Sequence, residues 1–472
     1  MFVLAVGPWL LTRHPQKGLT SEQALKARND VRATLVQALA GLAVAGGLAV
    51  TYRTFRQNQA EQDRNYALRH GEQVNALYTK AVEQLGHDQA PVRLGALYSL
   101  VHLAQANPEQ RPTVVDVLCA YLRMPYAHPK PGDPTAGSMA ETAEDLPLEA
   151  FSEQRKQDSA QELQVRQTAQ RLLTDHLRRP RDVSGEGVQR IPASPDEPFW
   201  PGISLDLAGA SLVDFDLDEA SVVHAEFSRA AFTGRATFKA ATFVGSATYI
   251  GATFTSSADF SKATFIGEAR FDRASFIGRA RFESVVFASG ARFIAAAFSG
   301  KAQFGGATFT GRALFNAAIF NGTNSQFNGA FFALDSTFAG ATFTHDAWFA
   351  NARFNDEAAF HRTAFNDRVF FDGVAFIGNA WFRETTFGHA SFDKTTFNRR
   401  FSFYGATFAR SPRFNAARLL RLNDPDLNTR YNRQLPAGWA VQPDPDDPAC
   451  GTLVPKEQSV PAPDSGSEPT AG

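Results

Sequence analysis

The 472-residue sequence predicts a β-solenoid, a stack of short coils, preceded by a transmembrane helix and a small α-helical region. Two observations predict this architecture. The chain has 42 Phe against 9 Tyr and 5 Trp; 38 of these Phe lie between Phe215 and Phe414, and 34 of the 38 fall at regular spacing. Near the N-terminus, residues 33–52 form an uncharged, mainly apolar run. A net charge of −1, 44% hydrophobic residues and 2 Cys exclude a wholly disordered chain, a disulfide scaffold and a strongly basic nucleic-acid binder.

The phenylalanine spacing identifies an internal repeat. From Phe232 to Phe320 the aromatic residues follow one another at alternating steps of six and five, with Tyr249 standing in once. After one step of seven residues, the pattern resumes at Phe327 and runs to Phe414, with one further break where Phe387 to Phe392 is a step of five instead of six. The repeating unit therefore has eleven residues and two centres.

A second column of small residues accompanies the aromatic one. Of the 35 repeat centres from Phe227 to Phe414, 25 have Ala two positions earlier. Side chains at i and i−2 of an extended segment point to the same face, so each unit sends one small and one large apolar group inward. Steps of five and six give no constant helical face, and they are too short for the strands of an antiparallel barrel. A solenoid that fills its bore with repeated side chains fits both columns, so the Phe residues are predicted to be structural.

The segment LDLAGASLVDFDL at 205–217 resembles the pentapeptide-repeat family, whose unit is Ala-(Asp/Asn)-Leu-X-X, and the later Ala-X-Phe units resemble its Phe-rich variant. The resemblance covers 203–414. It implies a right-handed quadrilateral β-helix with one unit per side, and the 39 centres from Leu207 to Phe414 then make about ten coils. The sixth residue of alternate units departs from the family pattern. We expect it as a bulge at two corners of each 22-residue coil.

The run at 33–52 is long enough to cross a bilayer as a helix and is interpreted as a transmembrane anchor. A signal peptide and a buried helix are the alternatives. The preceding segment, 1–32, is either the remnant of a first membrane helix or an irregular start. Basic residues are nearly balanced on the two flanks, so they do not decide the orientation. We expect a cell-membrane protein with one or two spans and its β-helix on the cytoplasmic side.

The other segments are assigned by composition. Residues 53–125 are predicted to form an α-helical module, 156–180 a helix that caps the β-helix, and 415–435 a C-terminal cap. Linkers are predicted at 126–155 and 181–202, and a disordered tail at 436–472 because Pro, Asp and Ser dominate there. Five short segments resemble the membrane-anchored subgroup of pentapeptide-repeat proteins, a resemblance that brings no assigned activity: LKARNDVR at 25–32, KAVEQLG at 80–86, VRLGALY at 92–98, PTVVDVL at 112–118 and WPGISLDL at 200–207.

No motif predicts catalysis, a cofactor or a metal site. The 10 His are dispersed, no Cys-x-x-Cys occurs, and Gly185-Glu-Gly187 lacks the third glycine and the context of a dinucleotide loop. Asp259, Asp272, Asp346 and His345 stand at outward positions and are interpreted as solvated surface. We therefore predict a non-enzymatic protein.

The resemblance also suggests an alternative function, because the pentapeptide-repeat family includes DNA mimics that regulate type II topoisomerases through a strongly acidic rod. Residues 203–420 contain 21 Lys and Arg against 18 Asp and Glu, a net charge of about +3. A rod of this charge lacks the negative field of DNA, so a topoisomerase regulator is disfavoured and a nucleic-acid partner is not expected.

Four aromatic residues stand just before a repeat centre, where the side chain should point outward: Phe331, Trp348, Phe370 and Trp381. Trp348 and Phe370 are 22 residues apart and should lie one above the other. Exposed aromatic residues mark contact surfaces, so these four are the candidate interaction surface for a protein partner or a second copy. Cover by the chain's own helices or tail, and no role, remain open. The predicted function is a membrane-anchored, non-enzymatic scaffold.

Overall fold

A computed structural model describes residues 20–126, 148–179, 198–425 and 433–458 of the chain. The chain divides into two units, 1–80 and 81–472. Four α-helices are described: α1 (Ser21–Leu85), α2 (Ala90–Ala106), α3 (Arg111–Arg123) and α4 (Leu148–Asp175), with a one-turn 3₁₀ helix at Pro108–Gln110.

Helix α1 joins the predicted transmembrane segment 33–52 to the first helix of the predicted module in one element of 65 residues. No proline interrupts 21–85, so nothing in the sequence forces a break at 53. The helix contains a stretch long and apolar enough to cross a membrane, and none of that stretch is buried. Two hydroxyl groups of the apolar stretch and its N-terminal end bond within the helix: those of Thr34 and Thr51 donate to the carbonyls of Asp30 and Gly47, each at 2.8 Å. The part of 1–32 before residue 20 lies outside the described residues.

Helices α2, α3 and α4 pack around a common apolar core that includes Leu97, Leu118 and Val165. Polar contacts join them at Glu162, which accepts hydrogen bonds from Arg93 at 2.9 Å and from the Tyr121 hydroxyl at 3.0 Å. Burial, reinforced by Glu162, raises the pKa of Tyr121 to about 12. The predicted linker 126–155 is too long, because α4 already begins at Leu148 and the segment from there to 156 has no Pro or Gly. Residues 127–147 lie outside the described residues.

The described residues of 205–425, together with 433–434, form a β-solenoid of about ten coils with four sides, as predicted. We number the sides in the order in which the chain visits them. Strands on one side pair in parallel with the strands one coil before and one coil after. Side 1 comprises Leu205–Asp206, Ala225–Glu226, Ala247–Thr248, Ala269–Arg270, Ala291–Arg292, Ala313–Leu314, Ser336–Thr337, Ala358–Ala359, Ala380–Trp381, Phe401–Ser402 and Arg433–Gln434. Side 4 comprises Ser221–Val222, Thr242–Phe243, Thr264–Phe265, Val286–Phe287, Thr308–Phe309, Phe331–Phe332, Arg353–Phe354, Ala375–Phe376, Thr396–Phe397 and Arg418–Leu419.

Sides 2 and 3 are joined into one sheet because two strands, Ala364–Phe370 and Thr386–Ser391, run through the corner between them. Side 2 also contains Ser211–Val213, Ala231–Thr233, Thr253–Phe254, Ser275–Phe276, Ala297–Phe298, Ile319–Phe320, Thr342–Phe343 and Thr407–Phe408. Side 3 also contains Ala236–Thr237, Ala258–Asp259, Ala280–Arg281, Ala302–Gln303, Ser325–Gln326 and Ala347–Trp348.

The four corners of a coil are of two kinds. At the corners after sides 1 and 3, the second residue beyond the aromatic centre has a positive φ in every coil, for example Ala295 at 54° and Ala317 at 53°. The six-residue units turn the other two corners, and their backbones approach closely. A Cβ on Gly300 would lie 2.1 Å from the carbonyl oxygen of Gly278. The extra residue is therefore accommodated at two opposite corners.

The bore is filled by four columns of stacked aromatic rings. Phe298 stacks on Phe276 and on Phe320 with ring centroids 4.9 Å apart in both cases, and it meets Phe304 edge-on at 5.9 Å. Offset stacks and edge contacts are the favoured geometries of aromatic pairs, so one residue type satisfies both directions of packing. Phe215 and Phe401 occupy the small-residue column and are also buried, at 1% and 0% exposure.

The first coil is covered by the end of α4. The side-chain amide of Gln170 makes two hydrogen bonds to the backbone of Val213, and the backbone of Leu177 and Arg179 bonds to Ser221 and Glu219. These bonds satisfy strand groups that would otherwise be an open edge.

The C-terminal segment differs from the prediction. Within the predicted cap, 415–435, strands Arg418–Leu419 and Arg433–Gln434 continue sides 4 and 1 of the solenoid. The prediction of a disordered tail is wrong over 436–458, where Trp439–Pro443 and Gly451–Pro455 form an antiparallel hairpin on side 4. Composition did not predict this hairpin because a few apolar side chains are enough to hold it against an edge that is already folded. Leu453 is buried, and Trp439 meets Phe414 edge-on at 4.8 Å. Residues 459–472 lie outside the described residues.

Candidate functional site

The four candidate aromatic residues lie on three different sides of the solenoid. Trp348 and Phe370 are on side 3, Phe331 is on side 4 and Trp381 is on side 1. Two residues share a side and a position only when a whole coil separates them, and this holds for Trp348 and Phe370 alone among the four. The single surface expected from the sequence is therefore corrected to one pair and two separate residues.

Trp348 and Phe370 stack face to face on side 3. Their ring centroids are 4.0 Å apart with planes inclined by 20°, and both side chains are half-buried. The guanidinium of Arg368 lies 5.8 Å from the centre of the Phe370 ring and donates through Nε to Asp346 at 3.0 Å. The indole Nε1 of Trp348 has no hydrogen-bond partner in the described part of the chain. The pair thus presents a flat aromatic surface bordered by an ion pair.

The other two candidates have different surroundings. Trp381 lies beneath the guanidinium of Arg383, which is 5.1 Å from the ring centre, and its strand neighbours are Ala359 and Ser402. Phe331 is half-buried on side 4 between Thr308 and Arg353 of the adjoining coils. Neither belongs to an aromatic pair on the outer surface among the described residues.

A family model described as "Pentapeptide repeats (9 copies)" matches residues 249–297 and 349–396. Both matched segments lie in the solenoid, and one contains the stacked pair. The repeat segment belongs to the pentapeptide-repeat family. A search of curated proteins and a search of solved structures each returned no match.

The outward polar positions of the pentapeptide-repeat β-helix form ladders of ion pairs between coils. Asp259 accepts from Arg281 at 3.2 Å, and Asp272 accepts from Arg292 at 3.1 Å. The interpretation of Asp259, Asp272 and Asp346 as solvated surface is wrong, because they are 7%, 9% and 6% exposed. In each case the neighbouring coil buries the carboxylate and supplies the arginine that pairs with it. His345 is exposed, as the sequence indicated.

One carboxylate of the pentapeptide-repeat ladder, Asp259, has a pKa below its ordinary value. Burial opposes ionisation of Asp259, but hydrogen bonds from Ser261 and the charge of Arg281 outweigh it and lower the pKa of this carboxyl group. The ladder therefore stabilises the coils most when its carboxylates are ionised.

Three features of the pentapeptide-repeat domain were missed by sequence reasoning. The Gln170 cap depends on contact between residues 43 positions apart. The ion ladders and a group of arginines on side 1 depend on which residues lie one coil apart. The 22-residue spacing, applied to the charged residues, would have predicted both the ion ladders and the group of arginines. Among the described residues, no group of three His, Cys, Asp or Glu side chains is arranged to hold a metal ion.

Proposed function

We propose that this chain is a membrane-anchored, non-enzymatic scaffold whose pentapeptide-repeat β-helix presents a rigid binding surface to a protein partner or to a second copy of itself. The observation that carries the proposal is the Trp348–Phe370 stack on side 3. On its side of the solenoid this pair interrupts a column of Asp, Arg and Gln side chains at the same outward position.

Rigidity supports a binding role for the pair. Both residues belong to strands paired in parallel within the β-helix, and each is followed directly by a core Phe, so their backbone is fixed by the aromatic bore. Large aromatic side chains held in place lose little conformational entropy when they bind, which makes them effective anchors. The flanking Arg368, held by the buried Asp346, supplies a guanidinium group at the rim.

Cover by the chain's own helices finds no support in the described contacts. Helices α3 and α4 pack against the first coil, near Asp206 and Val213, several coils before Trp348. The recorded ring contact of Trp348 is with Phe370.

Membrane anchorage through α1 is the second part of the proposal. Apolar side chains of the helix are exposed, among them Leu42 at 69% and Leu48 at 67%. A bilayer would remove this surface from water, and a helix satisfies its own backbone in lipid. We expect the anchor to hold the β-helix at the cytoplasmic face of the cell membrane.

The experiment is in-cell crosslinking and affinity capture of the full chain, comparing wild type with a Trp348→Ala/Phe370→Ala variant. The control is Phe331→Ala, which removes a half-buried aromatic residue from side 4. We expect the first variant to lose a captured protein, or its own crosslinked dimer, while the control retains it. Capture that is identical in all three chains would overturn the binding role.

The anchor is tested separately by deleting residues 1–53. The deleted chain should remain in the soluble fraction after membranes are sedimented, and the full chain should sediment with them. If the deleted chain still sediments with membranes and is released only by detergent, the anchor assignment is wrong.

A further inference from the structure

The last coils carry a group of arginine and aromatic side chains on side 1, opposite the Trp348–Phe370 pair. Strand register places Ala359, Trp381 and Ser402 in one outward column. Arg383 and Tyr404 follow the core residues of successive coils at the corner that ends this side, because Glu384 bonds to the Tyr404 carbonyl. Arg399 and Arg400 lie at the corner where the side begins, because Ala380 bonds to the Arg400 carbonyl.

These side chains are accessible. Arg383, Arg399 and Arg400 are exposed, and Tyr404 is 64% exposed. None of the three arginines forms an ion pair within the described part of the chain, whereas Arg362 at the same corner is paired with Glu384 at 2.7 Å. Unpaired guanidinium groups remain available to an external anion.

Three arginines of this region that lack an ion-pair partner among the described residues lie at the corners of side 1. Over 356–404, side 1 and its two corners carry four arginines against three carboxylates: Arg362, Arg383, Arg399, Arg400, Asp356, Glu357 and Glu384. On side 3 of the same coils, Asp372 and Asp393 follow the core phenylalanines. However, Arg368 and Lys394 lie near them, and Asp393 is paired with Arg413. Side 1 therefore offers unpaired guanidinium groups to a negatively charged surface.

The corner also contains an open cavity of about 480 Å³ lined by Ala339, Gly340, His361, Arg362, Arg383 and Glu384. Burial, followed by the charge of Arg383, lowers the pKa of His361, so the imidazole is neutral at physiological pH. The positive charge at the cavity walls therefore comes from the guanidinium groups of Arg362 and Arg383 and not from His361.

We propose that this part of side 1, defined by Trp381, Arg383, Arg399, Arg400 and Tyr404, rests on an anionic phospholipid surface. Guanidinium groups bind phosphate oxygens, and Trp and Tyr are the side chains enriched at the level of lipid headgroups. Trp381 lies between the two arginine corners and Tyr404 lies at one of them, so the charged and the aromatic groups can approach one surface together.

A lipid surface fits these observations better than a nucleic acid. Proteins that bind duplex DNA at physiological salt neutralise about six to ten phosphates, and this surface offers three unpaired arginines. One face of Trp381 is occupied by Arg383, so a base has little room to stack. For a chain held at the membrane, a few charges suffice because the local lipid concentration is high. This last step rests on the anchorage proposed above, and the experiment separates the two.

The experiment is fluorescence quenching by lipids with brominated acyl chains, using the full chain reconstituted in vesicles. Vesicles contain phosphatidylcholine alone or phosphatidylcholine with phosphatidylglycerol. The contribution of Trp381 is the quenching that disappears in Trp381→Phe, and the matched control is Trp348→Phe on side 3. Flotation of the vesicles measures anchorage independently of the quenching. If the chain does not float with the vesicles, it is added to preformed vesicles of the same two compositions and the quenching is measured there.

We expect Trp381 to be quenched in vesicles with phosphatidylglycerol and not in phosphatidylcholine alone, with Trp348 unquenched in both. Arg383→Gln and Arg400→Gln should each weaken the contact about fivefold. Unquenched Trp381 in floating anionic vesicles would overturn the proposal, as would equal quenching in both lipids or quenching of Trp348 instead. Binding of a single-stranded oligonucleotide that requires Arg383 and Arg400 would also overturn it, by assigning the surface to nucleic acid.

Discussion

The side-chain amide of Gln170 pairs with the backbone of Val213 in the way that a neighbouring strand would. Its Nε2 donates to the Val213 carbonyl at 2.8 Å, and its Oε1 accepts from the Val213 N–H at 3.0 Å. Gln170 is 5% exposed, so water does not compete for these bonds. A helix side chain thereby closes one edge of the β-helix.

Replacing this cap should open the first coil. Gln170→Ala leaves two buried backbone groups of Val213 without partners, at a cost of about 1–3 kcal/mol in the free energy of unfolding. Urea denaturation measures the loss, and amide exchange at Val213 should accelerate. Gln164→Ala, at an exposed position of the same helix, is the control and should change little. Equal effects of the two substitutions would contradict the capping role.

Tyr249 interrupts a phenylalanine column with a hydroxyl that is fully buried and has no hydrogen-bond partner among the described atoms. Burial raises the pKa of this phenol well above its ordinary value, so the group stays neutral. Tyr249→Phe should raise the free energy of unfolding by about 1–3 kcal/mol, because it removes an unsatisfied buried polar group. Denaturant unfolding checks this result. A loss of stability would show that the hydroxyl has a partner.

Phe298 stands in the middle of its ring column at 1% exposure. Phe298→Ala should lower the free energy of unfolding by about 3–5 kcal/mol, because it removes two stacked contacts and leaves a cavity. The half-buried Phe331 serves for comparison, and Phe331→Ala should cost less. Calorimetry of both variants gives the two values, and a reversed order would refute the assignment of core and surface columns.

The two kinds of corner should respond differently to alanine. In Gly300→Ala the new Cβ meets the Gly278 carbonyl oxygen, and we expect a loss of about 3 kcal/mol. In Gly340→Ala the Cβ enters open space, and the cost of about 1 kcal/mol comes from its φ of +68°. Ala295 and Ala317 already occupy the equivalent left-handed position in other coils. Thermal unfolding of the pair tests the distinction, which fails if Gly340→Ala is the more damaging change.

Stability should fall in acid through Asp259. Because the folded pKa lies below the ordinary value of 3.8, ionised Asp259 stabilises the fold above that value, and the contribution is lost as the pH falls through the folded pKa. The free energy of unfolding should therefore depend more steeply on pH below about 4 in wild type than in Asp259→Asn. Identical slopes would show that the ladder does not stabilise the fold. Arg281→Gln should lower stability at neutral pH by less than about 1 kcal/mol, because its side chain is partly exposed.

The sequence predicted the β-helix well because its signal is repeated in every unit. The aromatic and small-residue columns depend on strand alternation and fixed spacing, both of which are local properties. The outward residues could not be assigned to sides by eye, because Phe331, Trp348 and Trp381 share a local pattern yet point in different directions. The side on which each of these residues lies depends on how many units, and therefore how many corners, separate it from the others.

The C-terminal hairpin shows another limit. Residues 439–455 have a composition typical of disorder, and their order comes from pairing with Arg418–Leu419 and from the contact of Trp439 with Phe414. Such order is supplied by a template distant in sequence, so local propensity does not reveal it.

The step of seven residues between Phe320 and Phe327 has a wider consequence. The additional residue is absorbed at one corner, with Asn324 at a φ of 57°, and the rings of Phe320 and Phe327 still stack on those of the next coil at 4.4 and 4.8 Å. An extra residue in one coil is thus accommodated within that coil and does not alter the stacking of the next one. Insertions at this corner would stay confined to one layer, so the family can acquire new surface loops there, one layer at a time, without disturbing the fold beneath them.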